Sequence, residues 1–258
     1  MTQEIADMAS NNVEKKPFVV SIEGNIGSGK STMLKHFNKL EDVELLPEPV
    51  PEWCDLKGHN LLAMLYENPH RWSFQFQSYI QLTRLKLLKS PSEKRVKLLE
   101  RSIQNNRFCF LELAKREKTL NPAELEVLYS WYDWLDENLG LDLDLIVYLR
   151  TDPAVAYERM RRRNREEESN APKELLYNLH QAYEDWLINK TLGDVKVPVL
   201  VLDANKDIED MQKIYSEYED KICGLQPIEK DDQLDDKENA NVLNFTKENS
   251  SILDSANK

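Results

Sequence analysis

Short apolar runs alternate along this chain with longer stretches in which apolar positions recur every three or four residues. The runs predict strands over 18–22, 43–46, 95–99, 143–149 and 197–202. The periodic stretches predict helices over 32–40, over 61–89 with a break near Asn68-Pro69, and over 103–118. Asn121-Pro122 opens a further helix to 138, Asp152-Pro153 another, and two more cover 172–190 and 208–222. From 18 to about 223 no linker or repeat interrupts the alternation. That order implies one α/β domain, a five-stranded parallel sheet flanked by helices with right-handed crossovers. Ligands of such sheets bind beyond the carboxyl ends of the strands. Glu48, Glu100 and Asp203 each fall just after a predicted strand, so all three are expected to face that crevice.

The first strand runs straight into Gly24-Asn25-Ile26-Gly27-Ser28-Gly29-Lys30-Ser31-Thr32, a complete Gly-x-x-x-x-Gly-Lys-Ser phosphate loop. Its glycines allow the backbone to curl so that N–H groups point at a triphosphate. Lys30 can reach the β- and γ-phosphates, and the Ser31 hydroxyl can sit on Mg²⁺. The helix behind it aims its positive end at the same anion. Strand before, helix after and every fixed position filled predict a nucleoside triphosphate ligand.

Composition narrows the class. The 258 residues suit one domain between a flexible N-terminal segment (1–16) and an acidic, disordered tail (225–258), with the folded part over 17–224. That tail holds eight acidic and four basic residues and shows no helical period. Its Lys237-Glu238-Asn239 and Lys247-Glu248-Asn249 match a degradation tripeptide of cell-cycle proteins, a match that residues this common in the tail readily supply by chance. A net charge of −12 argues against a nucleic-acid polymer as partner, since that needs a basic face. No run is long enough to span a membrane. Cys54, Cys109 and Cys223 lack paired or metal-ligand spacing, which suits a reducing compartment. The first sixteen residues carry Glu4, Asp7 and Glu14, no Arg and no apolar core, so a cytoplasmic or nuclear location is expected.

The phosphate loop alone admits GTPases, transport ATPases and small-molecule kinases. No Asn-Lys-x-Asp guanine reader and no Ser-Gly-Gly signature occurs, and Asp55-Leu56-Lys57-Gly58 follows no apolar strand. Positive support favours a kinase: Glu48 between Pro47 and Pro49 at a strand end, Glu100-Arg101-Ser102 after another, and a run of arginines. Phosphoryl transfer needs a positioned hydroxyl, neutralised phosphate charge and exclusion of water. Arg159, Arg162, Arg163 and Glu166 fall on one face at helical spacing and predict an arginine-rich lid.

In chain order, Glu23 to Ser31, Glu48-Pro49-Val50-Pro51-Glu52-Trp53, Phe76-Gln77-Ser78-Tyr79, Glu100-Arg101-Ser102, Tyr148-Leu149-Arg150-Thr151, Arg163 to Glu168 and Glu184-Asp185-Trp186-Leu187 resemble the deoxyribonucleoside kinases. The likeness, over roughly 17–205, is to the insect multisubstrate and mitochondrial thymidine kinase branches, and it implies a P-loop kinase fold with a lid. It implies transfer from ATP to the 5′-hydroxyl of a deoxyribonucleoside, with Glu48 as general base, Arg101 on the same oxygen, and Lys30, Arg159, Arg163 and Arg165 on the transferring charge. Mg²⁺ would be held by Ser31 and by Glu100, directly or through water. Tyr66 and Glu168 resemble the pair on the sugar 3′-hydroxyl. Gln77 resembles the residue that reads the base edge, and Trp53, Leu65, Phe76, Ile80 and Phe110 its pocket walls. On sequence alone Gln77 reads equally as a surface helix residue, and the aromatics as core. A homodimer and feedback inhibition by a deoxynucleoside triphosphate are implied too.

One departure stands out. Where thymidine-preferring members carry Met and a small residue, this chain has Arg84 and Asn106. Neutral Asn106 cannot pair with Arg84 as Asp would, which leaves Arg84 more mobile. Broad specificity including purines is therefore expected. Two rivals stay open: a nucleoside monophosphate kinase of the thymidylate kinase kind, and a catalytically silent nucleotide-binding protein.

Overall fold

A computed structural model describes residues 16–229. The expected N-terminal segment and tail lie almost wholly outside these residues, and both Lys-Glu-Asn tripeptides entirely so. Among the described residues five strands form one parallel sheet: β1 (Phe18–Glu23), β2 (Val43–Leu46), β3 (Val96–Glu100), β4 (Leu145–Arg150) and β5 (Val199–Asp203), in the order β2-β3-β1-β4-β5. Side chains alternate across it. Val20, Ile22, Leu98, Val147, Leu200 and Leu202 pack on one face with Met33, Phe37, Met211 and Tyr215. Val19, Leu99, Ile146 and Tyr148 pack on the other with Leu176, Leu179, Tyr183 and Trp186.

Helices cover both faces. They are α1 (Lys30–His36), α2 (Val50–Cys54), α3 (Leu61–Glu67), α4 (Pro69–Leu88), α5, α6 (Pro122–Leu139), α7 (Pro153–Arg163), α8 (Lys173–Tyr183), α9 (Ile208–Glu217) and α10 (Glu219–Ile222). The fifth, α5, joins Ile103–Asn105 to Leu111–Arg116 through a π-helical turn at Asn106–Phe110, and α8 runs on into a second π turn at Glu184–Ile188. The break between α3 and α4 falls at Asn68, whose side chain caps α4 by accepting from Arg71 N. The start of α6 is a full capping box, Asn121 with Glu124, and Pro122 occupies its first turn.

Strand β2 matches its apolar run, while β3, β4 and β5 sit slightly later in sequence than theirs. Pairing of Ile22 with Glu100 and of Arg150 with Asp203 carries the ladders to these polar residues, so Glu100 and Asp203 end strands instead of following them. A larger correction concerns the arginine run. Helix α7 stops at Arg163, because Asn164 turns left-handed at φ 53°, and Glu166 opens a separate 3₁₀ turn (Glu166–Glu168). Glu166 therefore shares no helix face with the arginines.

An ion pair of the buried Glu184 with the part-buried Arg150 ties the second face together. Glu184, only 5 % exposed, accepts from Tyr148 Oη (2.8 Å) and from Arg150 Nε (3.1 Å) and Nη2 (2.6 Å). Glu184→Ala would strand the Arg150 charge, and an unfolding titration should show about 3 kcal/mol of lost stability. A loss under about 1 kcal/mol would mean that water reaches Arg150.

Candidate active site

Between β1 and α1 the phosphate loop bends around Gly24 and Gly27. A Cβ on Gly27 (φ +80°) would stand 2.3 Å from the Ala156 carbonyl oxygen, so only glycine lets α7 approach the loop. Asn25 fastens the loop to α8 by donating to Leu176 O at 2.8 Å, and its Oδ1 accepts from Ile26 N. Ser28 is buried behind the loop, and Thr32 stands exposed at the head of α1. Lys30 is 5 % exposed and donates to Asn25 O at 2.8 Å. Burial, then Arg101, lower its pKa to about 7, against the opposing pull of Glu100 and Glu48. Ser31 Oγ donates to Glu100 Oε1 at 2.7 Å. The loop opens on a cleft of about 960 Å³, lined also by Lys35, Glu100, Arg159, Arg162, Arg163 and the 205–208 segment after β5. Such a cleft takes a nucleotide.

Glu48 leaves β2 between two prolines and meets two guanidinium groups. Arg101 Nη1 lies 2.9 Å from Oε1 and 2.8 Å from Oε2, and Arg84 Nη2 donates to Oε1 at 2.8 Å. Burial alone would raise this carboxyl; Arg101, Arg84 and Lys30 more than offset it and hold its pKa at about 2. The expectation that Arg84 is mobile is wrong. It is 2 % exposed, and besides Glu48 it donates through Nη1 to Ser102 O (3.2 Å) and Asn105 Oδ1 (3.0 Å). Its amide partner is Asn105, the neighbour of the residue predicted, while Asn106 Nδ2 turns away to donate to Gln77 Oε1 at 2.6 Å.

Gln77 is thus buried, at 4 % exposure, and not a surface residue. Around it a small apolar cluster stands apart from both main cores: Trp53, Leu61, Leu62, Phe76 and Ile80, with Leu65 and Tyr66 at its edge. Trp53 and Phe76 meet edge to face at 5.8 Å, and Phe110 lies 5.8 Å from the Arg84 guanidinium carbon and 5.3 Å from that of Arg101. Asp55 to Gly58, set aside above, is a plain turn in which Gly58 N donates to Asp55 Oδ1.

The arginines expected to form a lid divide. Arg163 and Arg165 both converge on Glu168, at 2.7–2.8 Å, and Glu168 in turn raises the Tyr66 hydroxyl pKa, second only to burial. Arg159 instead donates to the carbonyls of Ala204, Asn205 and Lys206, which pins α7 to the loop after β5.

The deoxynucleoside kinase family model matches residues 20–223. The chain belongs to that family. It is 41% identical to thymidine kinase 2, mitochondrial, of Macaca fascicularis and 40% identical to that of Homo sapiens, in each case over 81% of this chain and 79% of the relative. It is 37% identical to deoxycytidine kinase of Homo sapiens over 74% of this chain and 85% of that one. The protein is a deoxyribonucleoside kinase, a phosphotransferase of nucleoside salvage, and its family takes ATP as phosphate donor. The monophosphate-kinase and silent-binder readings give way to it.

Three residues of this kinase carried no assignment from sequence. Glu23, Asn105 and Tyr183 are fully buried and sit directly behind Arg101 and Arg84. A carboxylate ending a buried strand, as Glu23 ends β1, was the one signal that could have exposed them.

Proposed function

We propose that the kinase phosphorylates the 5′-hydroxyl of purine as well as pyrimidine deoxyribonucleosides, with Glu48 as the base. The observation that carries this reading is the Glu48 carboxylate held between Arg84 and Arg101 within reach of Lys30's field. A pKa of about 2 makes a weak base. Phosphoryl transfer tolerates that, because its loose transition state demands little proton removal until bond formation is advanced. Glu48 then serves chiefly to orient the hydroxyl, and Arg101 to share the oxygen and balance the charge.

The Ser31 hydroxyl and the Glu100 carboxylate bring two hard oxygens to the cleft, a donor set that fits Mg²⁺ bound mainly through phosphates and water. When bound, the ion would neutralise phosphate charge. Lys30 adds a donor to the same phosphates, and Arg163 and Arg165 exchange Glu168 for phosphate as the lid closes. Tyr66 and Glu168, once that exchange frees the carboxylate, hold the sugar 3′-hydroxyl.

For the base, Arg84 Nε and Asn106 Oδ1 are both buried without a partner. Each such group costs about 1–3 kcal/mol, which a base edge offering both an acceptor and an N–H would recover. Gln77 accepts from Asn106 Nδ2 beside them, and Trp53, Phe76 and Phe110 supply the walls for the base. Rates on the four natural deoxyribonucleosides test this. Purine turnover within about a hundredfold of pyrimidine turnover is expected, roughly 3 kcal/mol of discrimination, whereas a strict thymidine and deoxycytidine enzyme would overturn it. Arg84 also makes a pH prediction. Removing it as Arg84→Met raises the Glu48 pKa, and since the protonated carboxyl cannot accept a proton, the acid limb of kcat moves to higher pH. An unmoved limb would mean that Arg84 leaves Glu48 unaffected.

Val127, Trp131 and Trp134 form an exposed stripe on α6, with Leu82 exposed on the adjoining α4. That stripe supports a homodimer, which Trp131→Glu should dissociate in a sedimentation run. A deoxynucleoside triphosphate whose base and sugar fill the Glu48 pocket and whose phosphates reach the loop would inhibit by bridging both subsites.

A further inference from the structure

Arg101 carries a backbone strain that its neighbours must maintain. Its φ is +62°, the left-handed region that non-glycine residues enter only under strain. The turn is held from beneath. Ser102 donates both its N–H (2.9 Å) and its hydroxyl (2.7 Å) to one oxygen of Glu23, which also accepts from Ser21 Oγ at 2.7 Å. Arg101 N itself donates to Ile22 O at 3.0 Å.

The side chain is held as well. The Tyr183 hydroxyl accepts from Arg101 Nε (3.1 Å) and from Asn105 Nδ2 (2.7 Å), and its own proton points to the second oxygen of Glu23 at 3.5 Å. Asn105 Oδ1 then accepts from Arg84. One hydrogen-bonded chain therefore runs from Glu23 through Tyr183 and Asn105 to both guanidinium groups on Glu48. Glu23, Asn105 and Tyr183 are each 0 % exposed, and the hydrogen bonds described for them all go to other protein groups.

We propose that Glu23, Tyr183 and Asn105 are positioning residues that fix Arg101 and Arg84 on Glu48. The proposal builds on the reading of Glu48 as the base. If it is right, the three residues act on turnover and not on nucleotide binding, because their hydrogen bonds end at the acceptor side of the site.

The test is a kinetic cycle of Tyr183→Phe and Glu48→Gln in the full chain. Tyr183→Phe alone should lower kcat about tenfold, as a small misplacement of a catalytic group does, with KM for ATP changed less than about twofold. In the Glu48→Gln background the same substitution should change kcat less than about twofold, since the carboxylate it helps to position is gone. An equal factor in both backgrounds would overturn the proposal and leave the base intact. A Glu48→Gln enzyme with undiminished kcat would overturn the base, and the proposal with it. Should Tyr183→Phe fold poorly, Asn105→Ala replaces it, because alanine suits that helical position and the change severs only the link between Arg84 and Tyr183. It should lower kcat about fivefold in the Glu48 enzyme and leave the Glu48→Gln enzyme unchanged; equal losses would again overturn the proposal.

Discussion

Glu48→Gln lowers kcat about a thousandfold, within the range by which positioned proton acceptors contribute, while the deoxyribonucleoside still binds. Glutamine keeps the shape and an acceptor oxygen, so the hydroxyl can still be oriented. What it loses is the negative charge and the capacity to take the proton. Stability should fall too. Arg84 and Arg101 are 2 % and 6 % exposed, and the glutamine would leave their charges, with Lys30 nearby, without the carboxylate that offsets them. Removing one partner of a buried pair costs about 3–5 kcal/mol, and the surviving hydrogen bonds favour the low end. For a domain of this size that corresponds to a Tm lower by roughly 6–12 °C. Calorimetric nucleoside binding, turnover and thermal melting on one preparation separate the two effects. Lost binding together with lost turnover would point to a collapsed pocket.

Lys30→Met should do the opposite to stability. Its ammonium is buried against backbone and beside Arg101, and burial lowers its pKa from 10.5 to about 7. A lysine whose folded pKa is depressed costs stability wherever the unfolded chain would be charged. The cost is complete below pH 7 and fades as pH rises towards 10.5. Methionine has nearly the same length and no charge to bury, and Asn25 O still accepts from Ser28 N. The variant should therefore melt at or above the parent temperature, with the largest gain at or below neutral pH. Turnover with ATP should nonetheless fall about a hundred- to a thousandfold, the cost of losing one fixed donor to a transferring group. A variant that melts lower would show that Lys30 is a structural cation. One that keeps its activity would remove it from the phosphate site.

These opposite signs follow from one contrast. Around Glu48 the neighbouring cations outweigh its burial, whereas around Lys30 burial and Arg101 outweigh the carboxylates of Glu100 and Glu48. The sequence could not display that contrast, since Glu48, Arg84 and Arg101 lie far apart along the chain. What it did display was local. The phosphate loop needs contiguous residues, and the sheet announces itself through apolar runs alternating with helical periods, so both were legible. Strand ends were less so, because Glu100 and Asp203 join the ladder by hydrogen bonds that any residue can make. Asn105 and Asn106 are one helical step, about 100°, apart, and nothing in their order says which faces Arg84. Glu23, Tyr183 and Asn105 escaped because each bonds across 78 or more residues to groups on other elements. The arginine run was visible as a charge run, but the end of its helix was set by the left-handed turn at Asn164, which basic spacing does not reveal.

The most direct test places the parent enzyme and Glu48→Gln side by side with Mg²⁺-ATP and each natural deoxyribonucleoside, and follows 5′-monophosphate formation by ³¹P NMR. Glu48 as the base of a 5′-kinase requires 5′-monophosphates of purines and pyrimidines from the parent, and less than about one percent of that rate from a variant that still binds nucleoside. Equal rates in the two proteins, or phosphate arriving at another hydroxyl, would contradict it.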